Sequence, residues 1–372
     1  MNIFPPAGLY IHVPFCVCKC RYCDFYSFSA GEDLYDSYTE RVMEALGYYE
    51  KRYARRYNSL YFGGGTPLLL GEKRLGKIME RALPLLEQDS EITAEGNPAA
   101  AGEIDFAALR AAGINRLSFG LQSSNERELS ALGRIHSPKD AADTVAAAQK
   151  AGFDNISLDL MLGIPYQTEE TLKESVAFCA NLGVRHISAY MLKVEEGTPL
   201  ASSELRFLCA DEEKYADLYL LACGELESRG YKQYEISNFA KPGFESRHNL
   251  KYWLDGEYLG IGPSAHSFME GRRFFFGRDM VSFMEKPFGE IEREESPGGG
   301  WEEYAMLRLR LAAGLDTEEL GELYPDSPAK EILSRAALYE RPGLTKIEGT
   351  RVSFTPRGFL VSGALTAELL YD

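Results

Sequence analysis

Between Gly8 and about Met191 the chain passes six times from a short apolar run to a helix-patterned one. The apolar runs Leu9–Val13, Ser59–Phe62, Ile92–Glu95, Arg116–Phe119, Ile156–Leu160 and His186–Met191 have the length of strands. Between them, Leu34–Glu50, Lys73–Leu86, Pro138–Ala151 and Glu169–Leu182 repeat their apolar residues at helical spacing. Successive strand–helix units impose a parallel sheet with right-handed crossovers, closed into a barrel or part of one. The expectation for residues 1–210 is therefore an α/β fold, a partial (β/α)6 TIM-type barrel. Its chemistry belongs in the loops after the strand C-termini.

After this repeat the pattern changes. A long helix over Asp211–Arg229 leads to Tyr231–Ile236 and then to loop-rich sequence through Phe276. Residues 211–284 read as a region completing the barrel, and the acidic stretch 285–300, ending in three glycines, as a linker. Trp301–Ala313 reads as a helix and Leu344–Thr355 as a β-hairpin, so 301–372 is expected to be an α+β, winged-helix-like accessory domain.

The first strand runs directly into Pro14-Phe15-Cys16-Val17-Cys18-Lys19-Cys20-Arg21-Tyr22-Cys23. Read as Cys16-x3-Cys20-x2-Cys23, three thiolates converge on one loop, as an iron–sulfur cluster requires. Three ligands cannot fill the four irons of a [4Fe–4S] cube, which leaves one iron open to a small molecule. A structural zinc ion would need four ligands, and Cys18 is the other nearby thiol. Cys18 lies two residues from both Cys16 and Cys20, so it reads as a bystander pointing away from their shared centre. Seven cysteines at uneven spacing do not form a disulfide framework, and Cys179, Cys209 and Cys223 read as small buried hydrophobes.

The formal charge is −16, from 56 acidic against 40 basic side chains. That balance argues against nucleic acid as a partner, because phosphate contacts need clustered Lys and Arg. No apolar run reaches the roughly 20 residues that span a bilayer. The N-terminus Met1-Asn2-Ile3-Phe4-Pro5-Pro6 lacks the order of a signal peptide. The expected location is the cytoplasm, with peripheral contact at a membrane left open.

The cysteine loop, preceded by Tyr10-Ile11-His12-Val13-Pro14, resembles that of the radical S-adenosylmethionine superfamily. Within it the chain is similar to the oxygen-independent coproporphyrinogen III oxidase-like group, and most to its heme chaperone branch, HemW. The resemblance covers nearly the whole chain. It implies a [4Fe–4S] cluster on Cys16, Cys20 and Cys23, with the methionyl amino and carboxylate groups of S-adenosylmethionine on the open iron. In that superfamily the reduced cluster cleaves the sulfonium to a 5′-deoxyadenosyl radical.

Further motifs follow strand by strand. Phe62-Gly63-Gly64-Gly65-Thr66-Pro67 offers glycines that let backbone approach a ligand, and by resemblance Gly64, Gly65 and Thr66 meet the methionine amino group. Glu95 ends the third strand, where the family's carboxylate meets the nucleotide. Gln122 and Arg134 match positions near S-adenosylmethionine, and arginine suits bidentate recognition of a carboxylate. Asp159 is a charge inside an apolar strand, where an unpaired carboxylate is costly, so it is expected to hold a polar group such as ribose. Tyr10 and Tyr22 match positions flanking the cluster and adenine.

The block Tyr234-Glu235-Ile236-Ser237-Asn238-Phe239, His248-Asn249-Leu250-Lys251-Tyr252-Trp253 and Gly262-Pro263-Ser264-Ala265-His266 resembles the chaperone branch. Its His-Asn-x-x-Tyr-Trp motif is associated with heme. Imidazole is a normal axial ligand, and Tyr252 and Trp253 would offer apolar faces to a macrocycle. Arg272-Arg273-Phe274-Phe275-Phe276 reads as a hairpin strand, or as a partner for propionates.

Two functions compete. One is binding heme and delivering it to apo-hemoproteins; the other is oxidative decarboxylation of two propionates of coproporphyrinogen III to vinyls. The oxidases carry a further cysteine two positions after the third ligand, where this chain has Phe25. They also have a longer segment before the loop, and the His248 block is the chaperone's. These three points favour the chaperone. A heme-degrading radical methyltransferase branch shares the scaffold and stays open; radical modification of RNA is disfavoured by the charge.

Overall fold

The computed structural model describes residues 6–100, 104–289 and 291–371. Residues 1–5, within the segment read as lacking a signal sequence, lie outside them.

Six parallel strands lie side by side in chain order: β1 (Ala7–Val13), β2 (Tyr57–Gly64), β3 (Leu86–Gly96), β4 (Arg116–Gln122), β5 (Ile156–Leu162) and β6 (His186–Met191). The helices between them are α1 (Glu32–Tyr53), α2 (Gly71–Ala82), α3 (Phe106–Ala111), α4 (Glu126–Leu132), α5 (Pro138–Lys150) and α6 (Glu169–Asn181). Each expected strand is present, most of them extended by a turn of sheet. Apolar side chains such as Leu9, Ile11, Leu60, Phe62, Leu158 and Ile187 are fully buried against these helices, which is what holds the layers together. The helix starts are legible locally: the Ser137 and Asp140 side chains form a capping box on α5, and Thr168 with Thr171 forms one on α6.

The run expected as one helix over Lys73–Leu86 divides. It stops at Ala82, a 3₁₀ turn covers Leu83–Leu85, and Leu86 already opens β3. Pro84 is the reason, since its ring and missing N–H break the helical ladder.

Beyond β6 come α7 (Glu212–Ser228), β7 (Lys232–Glu235), β8 (Asn238–Ala240), α8 (Arg247–Trp253), β9 (Tyr258–Ile261), β10 (His266–Met269), β11 (Arg272–Phe276), α9 (Met280–Glu285) and β12 (Glu292–Pro297). The loop-rich reading of this region missed three strands of three or four residues, β8, β9 and β10, too short and too interrupted to show a period, whereas β11 is the hairpin strand read at Arg272–Phe276. Their place is in one open twelve-stranded sheet, ordered β12-β11-β10-β9-β1-β2-β3-β4-β5-β6-β8-β7. Strand β9 runs parallel to β1, whereas β10, β11 and β12 are antiparallel additions. The stretch expected as a linker therefore contains an edge strand. Glu292 on β12 fixes it to α1, accepting from Tyr49 Oη at 2.7 Å and Arg52 Nη1 at 2.8 Å. Alternating acidic side chains on an edge strand read as solvated linker in sequence.

The C-terminal unit holds α10 (Trp301–Arg308), β13 (Leu315–Asp316), α11 (Thr317–Leu323), α12 (Ala329–Leu338), β14 (Thr345–Glu348), β15 (Arg351–Phe354), α13 (Pro356–Leu360) and α14 (Ser362–Leu370). Its small sheet runs β13-β15-β14, and the expected hairpin is β14–β15. Helix α10 ends five residues before the expected Ala313 because the chain there pairs with the barrel. Ile236 N donates to Arg310 O at 3.1 Å and Ala312 N to Tyr234 O at 3.0 Å. No helix among the described residues is long and apolar enough to cross a membrane.

Candidate functional site

The C-terminal ends of β1 to β6 surround a cavity of about 550 Å³. Cys16, Cys20 and Cys23 line one wall, and Gly64, Gly65, Thr66, Glu95, Gln122, Arg134 and Asp159 line the rest. Nearly all the residues singled out in the sequence thus meet in one place.

Backbone hydrogen bonds fix the cysteine loop. Cys16 N donates to Phe28 O at 3.0 Å, Phe28 N to Pro14 O at 2.9 Å, and Arg21 N to Leu132 O at 3.0 Å. The glycine loop is laced to it: Gly65 N reaches Val13 O at 2.8 Å and Thr66 N reaches Phe15 O at 2.7 Å. Thr66 Oγ1 stands 3.6 Å from Cys16 Sγ. Two glycines are required here. Gly64 has φ +109, and a Cβ on it would lie 2.7 Å from the His12 ring; one on Gly65 would lie 2.5 Å from Phe15 O.

Cys20 Sγ accepts from Arg134 Nη1 at 3.3 Å, and Arg134 Nη2 also donates to Gly120 O. Burial pushes the Cys23 thiol up, with Cys20 and Cys16 adding to the effect. Cys18 is exposed at the rim of the same cavity, its Sγ 3.8 Å from Lys19 O. Among the described residues, no three His, Cys, Asp or Glu side chains are grouped to hold a single ion. Three thiols spread along a wall suit a cluster instead, which takes one thiolate per iron.

Glu95 is half-buried in the cavity wall, accepting from Tyr61 Oη at 2.6 Å and Gly64 N at 3.3 Å. Desolvation raises its pKa to about 7, against the lowering effect of the Tyr61 bond. Asp159 is likewise raised by burial, with Ser188, Arg116 and Arg134 opposing. Gln122 closes β4 at φ +71, where the β4–β5 register shifts. A non-glycine residue in the left-handed region beside a bulge is strain of the kind that functional sites hold. Burial also raises Tyr22, which lines the cavity beside Arg134 and Cys20.

Two expected residues are placed differently. Tyr10 stands behind the cavity wall, its hydroxyl 3.0 Å from His12 Nδ1 and its ring stacked 6.2 Å from Tyr61. Tyr10 pairs in register with Tyr61 and shares its face of the sheet, but Tyr61 lines the cavity and Tyr10 does not. His248 is 1% exposed, and both ring nitrogens have partners: Nδ1 is 2.9 Å from Ser59 Oγ and Nε2 is 2.9 Å from Tyr252 Oη. Its ring stacks 5.1 Å from Tyr61. Iron ligation through either ring nitrogen would break the contact that nitrogen makes. Tyr252 packs edge-on against Tyr258, and Trp253 lies under the Arg310 guanidinium at 4.9 Å. Arg272 and Arg273 sit in the β10–β11 hairpin and pair with Glu294 at 3.3 Å and Glu303 at 2.6 Å.

Sequence reasoning missed Tyr61, Arg116, Ser188, Tyr190 and Asn249, all on the cavity wall. Arg116 and Asn249 stood inside quoted motifs; the others carry no local signal.

A model of the radical SAM superfamily matches residues 10–179, a span holding the three cysteines, the glycine loop, Glu95, Gln122, Arg134 and Asp159. The HemN C-terminal domain model matches residues 300–361. A curated relative from Mycobacterium tuberculosis, heme chaperone HemW, is 35% identical over 98% of this chain and 95% of its own. The chain belongs to the HemW family of radical SAM proteins. A second HemW, from Escherichia coli K12, is 37% identical over 82% of this chain and 83% of its own. The solved structure of coproporphyrinogen III oxidase HemN from Escherichia coli, a radical SAM enzyme, superposes with a TM-score of 0.84. It is 20% identical, covering 99% of this chain and 90% of that one. At that identity the likeness shows the chain's α/β radical SAM fold and no more.

Proposed function

We propose that the protein is a heme chaperone, binding a [4Fe–4S] cluster, S-adenosylmethionine and heme, and passing heme to apo-hemoproteins. The observation that carries this reading is the alignment to a heme chaperone over 98% of the chain. The cavity supports it by its donor set. The three thiols suit a cluster, and the open donors of Arg134 Nε and Arg116 suit an anionic group beside it.

Cys16, Cys20 and Cys23 would hold three irons, and Arg134 would hold the Cys20 thiolate by a charge-assisted hydrogen bond. When bound, the cluster supplies an open iron for the amino and carboxylate groups of S-adenosylmethionine. Gly64, Gly65 and Thr66 would bring backbone against the methionyl end, while Glu95 would accept from an N–H of its amino group and Asp159 from hydroxyls. Gln122 and Tyr22 close the sides and exclude water. The macrocycle would lie across the mouth, where Phe25 is 66% exposed and Val17 and Tyr190 are also exposed. Cytoplasmic location belongs to the same reading.

The reconstituted protein, loaded with heme under anaerobic conditions, should transfer it to an apo-hemoprotein. Conversion of coproporphyrinogen III to protoporphyrinogen IX at enzymatic rates would instead make it an oxidase.

A further inference from the structure

Arg116 opens β4 and sends its side chain up into the barrel, where it lines the floor of the cavity. It is 1% exposed, yet its Nε and Nη1 have no hydrogen-bond partner. Among the described residues no carboxylate lies within ion-pair distance of it. The charges of Glu91 and Asp159 act on it across the interior without bonding to it, so the guanidinium lacks hydrogen-bond partners, and unmet buried donors are costly.

The acids around it are engaged elsewhere. Glu91 is taken up by the start of α8, accepting from His248 N at 3.0 Å, Arg247 N at 3.1 Å and Ser246 Oγ at 3.4 Å. Glu95 is held by Tyr61 and Gly64. Asp159 accepts from Ser118 Oγ at 3.5 Å and from Ser188. Of the other two cavity arginines, Arg134 already spends two nitrogens on Cys20 and Gly120, and Arg278 pairs with Asp24 at 3.0 Å. Arg116 alone presents its fork unengaged, and a planar fork matches a carboxylate.

We propose that Arg116 is an anion subsite at the cavity floor that takes a carboxylate of the bound ligand. The inference rests on the reading that S-adenosylmethionine and heme meet in this cavity. The carboxylate has two sources there, the methionyl group of S-adenosylmethionine or a heme propionate.

The test uses anaerobically reconstituted full-length protein, wild type, Arg116→Gln and Arg116→Lys, with iron content checked first. Each is titrated calorimetrically with S-adenosylmethionine and its decarboxylated analogue, and spectroscopically with heme and heme dimethyl ester. Arg116→Gln should weaken one carboxylate-bearing ligand tenfold or more, leaving the analogue without that carboxylate unchanged, and Arg116→Lys should fall between. Loss in the first pair assigns the methionyl carboxylate; loss in the second assigns a propionate. Equal binding of all four ligands by all three proteins overturns the proposal, as does equal weakening of a ligand and its analogue. If the variants do not fold, a crystal structure of wild-type protein with each ligand decides. A carboxylate oxygen bonded to Arg116 supports the subsite, and a water or chloride there overturns it. Absence of any heme or S-adenosylmethionine binding by wild type would instead sink the chaperone reading itself.

Discussion

His248 Nδ1 lies 2.9 Å from the Ser59 hydroxyl, tying the first turn of α8 to the middle of β2. The second nitrogen meets Tyr252 Oη on the same helix, and Glu91 holds the helix start. Burial lowers the imidazole pKa to about 3, so the ring is neutral across the working range. In this geometry His248 pins α8 in place and brings Asn249 to the cavity wall. His248→Ala is expected to cost about 2–4 kcal/mol of stability through lost packing and two unmade hydrogen bonds, while heme affinity changes little. A heme titration beside a thermal melt checks this. Loss of the Soret complex with an unchanged melting temperature would make His248 the iron ligand.

The cysteines divide three to one. Replacing Cys16, Cys20 or Cys23 by Ala should leave reconstituted protein without its full iron complement, because each thiolate serves a different iron. Cys18→Ala should keep iron per chain and the cluster's absorption as in wild type, since Cys18 is exposed at the rim. Iron and sulfide analysis of the four variants settles the assignment.

Much of the site was readable because each strand end carries its own motif. The cysteines, Gly64, Glu95 and Gln122 follow or close the first four strands and Asp159 interrupts the apolar run of the fifth, so fold class and cavity are legible together. What escaped reading depends on tertiary placement. Tyr61 matters because β2 lies beside β3, and Arg116 because its side chain climbs from the strand's far end. His248 looked like a ligand because an isolated imidazole carries no record of Ser59, which is 189 residues away. The short strands β8 to β10 escaped for a related reason: their stability comes from the sheet edge they extend, and their own sequence carries little period.

Glu95 makes stability depend on pH. Its pKa is raised to about 7 in the fold from an ordinary 4.5, chiefly by desolvation. A raised carboxyl favours the fold while it is protonated, so its contribution is complete below about pH 4.5 and is lost as pH rises through about 7. Glu95 therefore contributes a falling component of a few kcal/mol between about pH 4.5 and 7, at about 1.4 kcal/mol per pKa unit, set against the rising component of the buried histidines His12, His136 and His248, whose neutral forms the fold favours. Glu235, also raised to about 7 by burial, adds to the same slope. Glu95→Gln should remove the Glu95 component, so the stability of the variant relative to wild type should rise with pH across that range in denaturant titrations. An unchanged slope would show Glu95 ionised throughout.

Two glycines should respond to alanine in opposite directions. A Cβ on Gly65 meets Phe15 O at 2.5 Å, a backbone atom held by Thr66 N, so neither side can yield cheaply. Gly65→Ala must part the glycine loop from the cysteine loop, at roughly 1–3 kcal/mol, and carry Cys16 away from Thr66. Gly76 lies inside α2, with nothing within 4 Å of an added Cβ. Gly76→Ala should stabilise by about 0.5–1 kcal/mol, since alanine restricts the unfolded chain and favours helix. Measured together by denaturant unfolding and iron content, Gly65→Ala should lose both stability and iron, and Gly76→Ala should gain stability at constant iron. If Gly65→Ala kept full iron loading, the two loops would have to be more loosely coupled than the Thr66 N–Phe15 O bond implies.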